Sequence, residues 1–266
     1  MHTFYSSERA LLYISLAAYI SLCLFASLWT WISQRGRVGN PEIDVKNYET
    51  LWNLAMDDVD FNRSNTSPNA LVFTDRDGVL CKNRREGVLS VDMLELVPGF
   101  HDAMSILGDA KLSVAVVSNQ PYISQGTLMK QTAKEINDAL KVAAKSAGIG
   151  QFEIFICPHS ENDDCACRKP NIGLLDAAIA HFEDSTRTRY YMIGDQLSDM
   201  EAGRNLARKY NRAKVRTILI DWKYGLANHM EIPEEMVDYR CSSLLSAALW
   251  IRMQESMASR ISYGQH

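Results

Sequence analysis

From Ala70 onward the chain repeats one unit: a short run of apolar residues, then a longer stretch whose apolar residues recur at helical spacing. The apolar runs are 70–74, 112–117, 153–157, 190–193 and 216–220; the helix-period stretches are 100–107, 126–147, 172–182 and 198–209. In the longest of these, Leu128, Met129, Ala133, Ile136, Leu140 and Ala143 fall on one face. Strands that are apolar throughout, rather than alternating, need cover on both faces. The alternation therefore predicts an α/β, Rossmann-like fold: a parallel sheet with helices on both faces. In such sheets ligands bind beyond the carboxyl ends of the strands. Here the first run ends in Asp75-Arg76-Asp77-Gly78, the second in Ser118-Asn119-Gln120, the third in Cys157-Pro158-His159 and the fourth in Gly194-Asp195, with Asp199 four residues on. Reactive or ligating residue types are thus expected on one rim from four separate strands.

The chemistry that rim can support follows from the residue types. A carboxylate at a strand end, Asp75, is a possible nucleophile, and a second nearby, Asp77, can exchange protons with a leaving group. Clustered carboxylates repel one another and call for a cation, and an all-oxygen site that includes Asp195 suits Mg²⁺. Phosphoryl transfer needs such a metal together with hydroxyl and cationic donors, for which Ser118 and Lys169 have the right groups. Asp-x-Asp-Gly taken alone also fits a turn with two solvated aspartates. The four strand ends together favour the catalytic reading.

Three of the six cysteines and one histidine fall within eleven residues, as Cys157-Pro158-His159 and Cys165-Ala166-Cys167. Four such ligands match a closed, structural Zn²⁺ site that would hold the polar loop between them in shape. A disulfide or plain buried thiols are the alternatives, although Cys-x-Cys seldom meets disulfide geometry.

The motifs Phe73-Thr74-Asp75-Arg76-Asp77-Gly78-Val79-Leu80, Val117-Ser118-Asn119-Gln120, Cys167-Arg168-Lys169-Pro170 and Gly194-Asp195-x3-Asp199 resemble, in order, the four motifs of haloacid-dehalogenase-type phosphatases. The resemblance implies Asp75 as the nucleophile of an aspartyl-phosphate, Asp77 as general acid then base, and Ser118 and Lys169 as phosphate clamps, with Asn119 beside them in the phosphate- and substrate-binding set. It implies Mg²⁺ held by Asp75, Asp195 and the Asp77 carbonyl, with Asp199 orienting Lys169 or a metal-bound water. The cysteine cluster looks like the branch that holds D-glycero-D-manno-heptose-1,7-bisphosphate 7-phosphatase and histidinol-phosphatase, which implies a zinc-bearing loop, no large cap domain and an open pocket. Arg168, next to Lys169, is the expected partner of a second anionic group on a small phosphorylated metabolite. The chain departs from that branch at Cys81, where Asn is usual, at Pro121, Tyr122 and Gln125, and at Gln196.

Ahead of this region, 10–34 carries no charged residue, and its apolar part, 11–32, would span about 33 Å as a helix. It reads as one transmembrane helix; a signal peptide and a buried helix are the alternatives. Arg35, Arg37 and Lys46 follow it and only Arg9 precedes it, so the expectation is a single-pass membrane protein with its catalytic part on the cytoplasmic side. The expected organisation is tail and anchor at 1–32, linker at 33–69, phosphatase domain at 70–255 and tail at 256–266. A formal net charge of −4 argues against a nucleic-acid partner, and so against a phosphatase of nucleic-acid ends. A catalytically silent, membrane-tethered binding module is the remaining alternative. The intact aspartates, serine and lysine speak against it.

Overall fold

A computed structural model describes residues 70–182, 187–221 and 232–263. Within them six parallel strands form one sheet: β1 (Ala70–Thr74), β2 (Ser113–Asn119), β3 (Phe152–Cys157), β4 (Arg189–Gly194), β5 (Lys214–Ile220) and β6 (Tyr239–Cys241), in the order β3-β2-β1-β4-β5-β6. The helices are α1 (Phe100–Asp109), α2 (Lys130–Ser146), α3 (Gly173–His181), α4 (Leu197–Lys209) and α5 (Leu244–Tyr263). The parallel Rossmann-like sheet is as the alternation predicts.

Alternate side chains of the continuous apolar strands point to opposite faces, so the sheet carries two cores. On one face Ala70, Val72, Val114, Val116, Ile193 and Ile218 pack with residues of α1, α2 and α5. On the other, Leu71, Phe73, Ala115, Val117 and Met192 pack with residues of α3 and α4. Helix α1 buries Phe100, Ala103, Met104 and Leu107, and α2 buries Ala133, Ile136, Leu140 and Ala144, each a single stripe at helical spacing.

The strand order reverses direction between β1 and β4, the switch point at which a crevice opens beyond the strand ends. Register brings the rim residues level. Thr74 lies beside Val116 on one side and Ile193 on the other, and Asn119 lies beside Cys157. Asp75, Ser118 and Asp195 therefore emerge at the same edge from three neighbouring strands.

Two sequence expectations are altered and one strand is added. Helix α2 begins at Lys130 rather than 126, because Pro121 opens a series of turns and Gly126 takes a positive φ of 75°. Strand β6 has only three residues, too short for an apolar run to register. The expected membrane-spanning helix is corrected. No helix among the described residues is long and apolar enough to cross a membrane, and the segment 11–32 lies outside them. The longest, α5, has 20 residues but carries Arg252, Glu255 and Arg260 along its length, charges that a hydrocarbon core would not accept. The single-pass placement and the cytoplasmic orientation, both built on that helix, fall with it.

Candidate active site

Asp75 is the first residue beyond β1, and its backbone N–H donates to the Ile193 carbonyl of β4 at 3.0 Å. Its Oδ1 accepts the Arg76 backbone N–H at 2.7 Å and stands 3.0 Å from Lys169 Nζ. The same ammonium lies 2.6 Å from Asp199 Oδ1, with both side chains essentially sealed from solvent. Burial opposes the Lys169 charge, but Asp199 and Asp75 outweigh it and hold the group above the ordinary lysine range. The other Asp199 oxygen accepts the Gln196 backbone N–H at 3.1 Å, at the start of α4.

Asp195 is less well satisfied. Its Oδ2 takes the Gln196 side-chain amide at 3.2 Å, while its Oδ1 is buried without a hydrogen-bond partner among the described residues. Burial, reinforced by Asp75 and Asp199, pushes its carboxyl well above the usual range. Burial also pushes Asp75 up, to about 6, against the pull of Lys169 and with Asp199 and Asp77 adding to the rise. One oxygen from each of Asp75, Asp195 and Asp199 falls within 4.8 Å of the others. Converging carboxylates that resist ionisation and leave a buried oxygen unbonded fit a hard divalent cation, and the all-oxygen set fits Mg²⁺. Gly78 brings its backbone flush against this cluster: it has φ +87°, and a Cβ there would stand 2.1 Å from Asp195 Oδ2. No larger residue fits.

Asp77 is held from three sides. Arg76, fully buried, reaches it with Nε at 3.2 Å to each oxygen and with Nη2 at 2.9 Å, and braces itself through Nη1 on Asn137 of α2 at 3.1 Å. Gln120 Nε2 donates to Asp77 Oδ2 at 2.6 Å, and the Cys81 thiol donates to Oδ1 at 3.3 Å. Arg76, Asn137 and the Gln120 side chain are absent from the expected site residues. The sequence signal for Arg76 is a lone cation between the two motif aspartates just after an apolar run. Asn137 gives none, because α2 and β1 are brought together only by the fold.

Asn119 spends its amide on the backbone of Lys169, accepting from its N–H at 3.0 Å and donating to its carbonyl at 3.1 Å. Arg168 Nη2 is paired with Glu161 Oε1 at 2.8 Å, and its Nη1 reaches the His159 carbonyl at 3.4 Å. Asn119, Arg168, Lys169, Glu161 and Ser198 line a pocket of about 370 Å³.

At the end of β3 the expected metal ligands converge. Cys157, Cys165 and Cys167 lie 3.2–3.5 Å apart sulfur to sulfur, and His159 Nδ1 is 3.5 Å from Cys157 and 3.2 Å from Cys167. All three cysteines are free thiols, which removes the disulfide reading. A tetrahedron of thiolates about Zn²⁺ has edges of about 3.8 Å for bonds of about 2.3 Å; the four groups need only spread by a few tenths of an ångström to accept one. The Gln120 backbone N–H donates to the Cys157 carbonyl at 2.7 Å, and Asn171 donates to the Cys165 carbonyl at 2.8 Å. The ligand loop is thereby tied to the rim.

A family model described as HAD-hydrolase-like matches residues 166–209, the stretch that carries Lys169, Asp195 and Asp199. The chain is 30% identical over 172 residues to the D-glycero-beta-D-manno-heptose-1,7-bisphosphate 7-phosphatase of Neisseria meningitidis, across 64% of this chain and 91% of that protein. The chain belongs to the HAD-like phosphatases. A second relative of this HAD-like phosphatase is the histidine biosynthesis bifunctional protein HisB of Campylobacter jejuni subsp. doylei. It is 33% identical over 170 residues, 63% of this chain but only 45% of that longer protein. Among solved structures, the D,D-heptose 1,7-bisphosphate phosphatase from B. bronchiseptica, complexed with magnesium and phosphate, matches with a TM-score of 0.59 at 26% identity. The match covers 70% of this chain and 99% of that one.

Proposed function

We propose that this phosphatase is a Mg²⁺-dependent phosphomonoesterase that works through an aspartyl-phosphate on a small phosphorylated metabolite, a sugar bisphosphate or a compound like histidinol phosphate. The observation that carries this reading is the buried, unbonded Asp195 oxygen beside Asp75, a donor set in want of a cation. In this mechanism Asp75 attacks phosphorus, the bond to the leaving oxygen breaks, and Asp77 gives that oxygen its proton. Asp77 then takes a proton from the water that hydrolyses the aspartyl-phosphate, which restores Asp75 and releases phosphate. Ser118 and Lys169 donate to the phosphoryl oxygens, and Asp199 positions Lys169. Mg²⁺, held by the Asp75 and Asp195 carboxylates and the Asp77 carbonyl, would neutralise phosphoryl charge. Zn²⁺ would sit among Cys157, His159, Cys165 and Cys167 and keep the loop beside the pocket in shape.

The relatives named for a heptose bisphosphate and for histidine biosynthesis support a small metabolite as the substrate. Arg168 is the residue for a second anionic group, and it would have to exchange Glu161 for it. Residues 70–255 form the catalytic domain in this reading. Hydrolysis of an aryl phosphate, with and without Mg²⁺, by the full chain and by Asp75→Asn is the test. The variant is expected to lose at least about a thousandfold in rate. Unchanged turnover by Asp75→Asn, or turnover indifferent to chelation of Mg²⁺, would overturn the mechanism.

A further inference from the structure

One nitrogen of Gln120 serves two groups. Nε2 donates to Asp77 Oδ2 at 2.6 Å and to Ser118 Oγ at 3.0 Å, and the residue is 2% exposed. The orientation of the amide is dictated by its surroundings. Asp77 Oδ2 already accepts from Arg76 Nη2, so it meets Gln120 as an acceptor and must face the nitrogen rather than the carbonyl oxygen. The second hydrogen of that nitrogen then falls to Ser118, whose Oγ becomes an acceptor. Among the described residues Ser118 Oγ makes no other hydrogen bond, so its own hydrogen is left to donate. The Gln120 backbone is pinned as well, by its bond to the Cys157 carbonyl.

We propose that Gln120 is a positioning residue: by occupying the acceptor side of the Ser118 hydroxyl it keeps that hydroxyl poised as a donor to a phosphoryl oxygen. It also links this clamp to Asp77. The inference rests on the phosphatase mechanism above for the place of Ser118 and adds what sets the direction of its hydrogen bond. Replacing the amide by a carboxylate of the same shape reverses that direction, because Glu would accept the Ser118 hydrogen instead of leaving it for phosphate.

The test is calorimetric titration of inorganic phosphate into the full-length protein in Mg²⁺ buffer. It compares the natural chain, Gln120→Met, Ser118→Ala and the double variant. Each single change is expected to weaken phosphate binding about tenfold, the worth of one well-placed hydrogen bond to an anion. The double variant should be weakened about tenfold as well rather than about a hundredfold, because both changes remove the same bond. Wild-type affinity in Gln120→Met, or losses that multiply in the double variant, would refute the proposal. Should Gln120→Met fail to fold, Gln120→Glu takes its place: it should weaken binding more with Ser118 present than with Ala there, and equal weakening in both would sink the idea. A natural chain that binds phosphate but cleaves no aryl phosphate overturns the function and leaves this inference standing. One that does not bind phosphate at all overturns both.

Discussion

The two ligand clusters of this molecule are built in opposite ways. Asp75, Asp195 and Asp199 come from segments more than a hundred residues apart and meet only because β1 and β4 are neighbours in the sheet. Cys157, His159, Cys165 and Cys167 come from one stretch of eleven residues, the last residue of β3 and the loop after it. The carboxylates are assembled by the fold, so their mutual repulsion is imposed from outside; Lys169 offsets it at Asp75 and Asp199 and leaves Asp195 without a cationic partner of its own among the described residues. The loop of SENDD residues between the thiols has little apolar surface of its own, so there a metal would be part of what folds it. One cluster is a consequence of the architecture; the other, with a metal bound, would be a contributor to it.

Substitutions can break that contrast. Asp195→Asn should have the largest effect: a loss of about a hundred- to a thousandfold in phosphatase rate, with bound zinc unchanged by elemental analysis. A matching fall in zinc would show the clusters are not separable. Cys165→Ser comes next. It should lower zinc content and melting temperature, and reduce the rate by about thirty- to a hundredfold through the loop that carries Arg168 and Lys169. Zinc stoichiometry equal to the natural chain would refute the thiol site. Asp199→Asn should cost about tenfold in rate with zinc retained, because Lys169 would keep only Asp75 as a charged partner; a variant as active as the natural chain would remove Asp199 from the mechanism. Glu161→Gln should do least. Freeing Arg168 from an exposed pair should favour a sugar bisphosphate over the monophosphate by about threefold in kcat/KM. No change in that ratio would mean Arg168 does not meet the second phosphate.

The same contrast explains what could be read from the sequence. The thiol cluster was legible because its ligands are adjacent in the chain, and the carboxylate rim because Asp75 and Asp195 stand at the ends of apolar runs, with Asp199 four residues after the second. Residues whose importance arises only across the fold left no such trace. Asn137 lies in the middle of an ordinary amphipathic helix, and nothing in its neighbours points to Arg76. Gln120 was visible as part of Ser118-Asn119-Gln120, but the sharing of one nitrogen between Asp77 and Ser118 depends on the β1–β2 register. Cys81 stood out as a departure from the related branch, and its contact with Asp77 appears only once the turn after β1 is built. The apolar segment 11–32 shows the opposite hazard: a strong local signal carried the membrane placement, and no described helix supports it.

Cys157 belongs to three systems at once: it ends β3, packs in the core beneath α3, and supplies one thiol of the cluster. Among the described residues, strand β3 is also the outer strand of the sheet, paired on one side only. Without a metal to hold it, the loop anchored at Cys157 would loosen, and the end of this already open β edge would be freer to take another partner. Protein prepared without zinc should therefore tend to self-associate, and light scattering with Mg²⁺ resupplied would separate that effect from the loss of the catalytic cation.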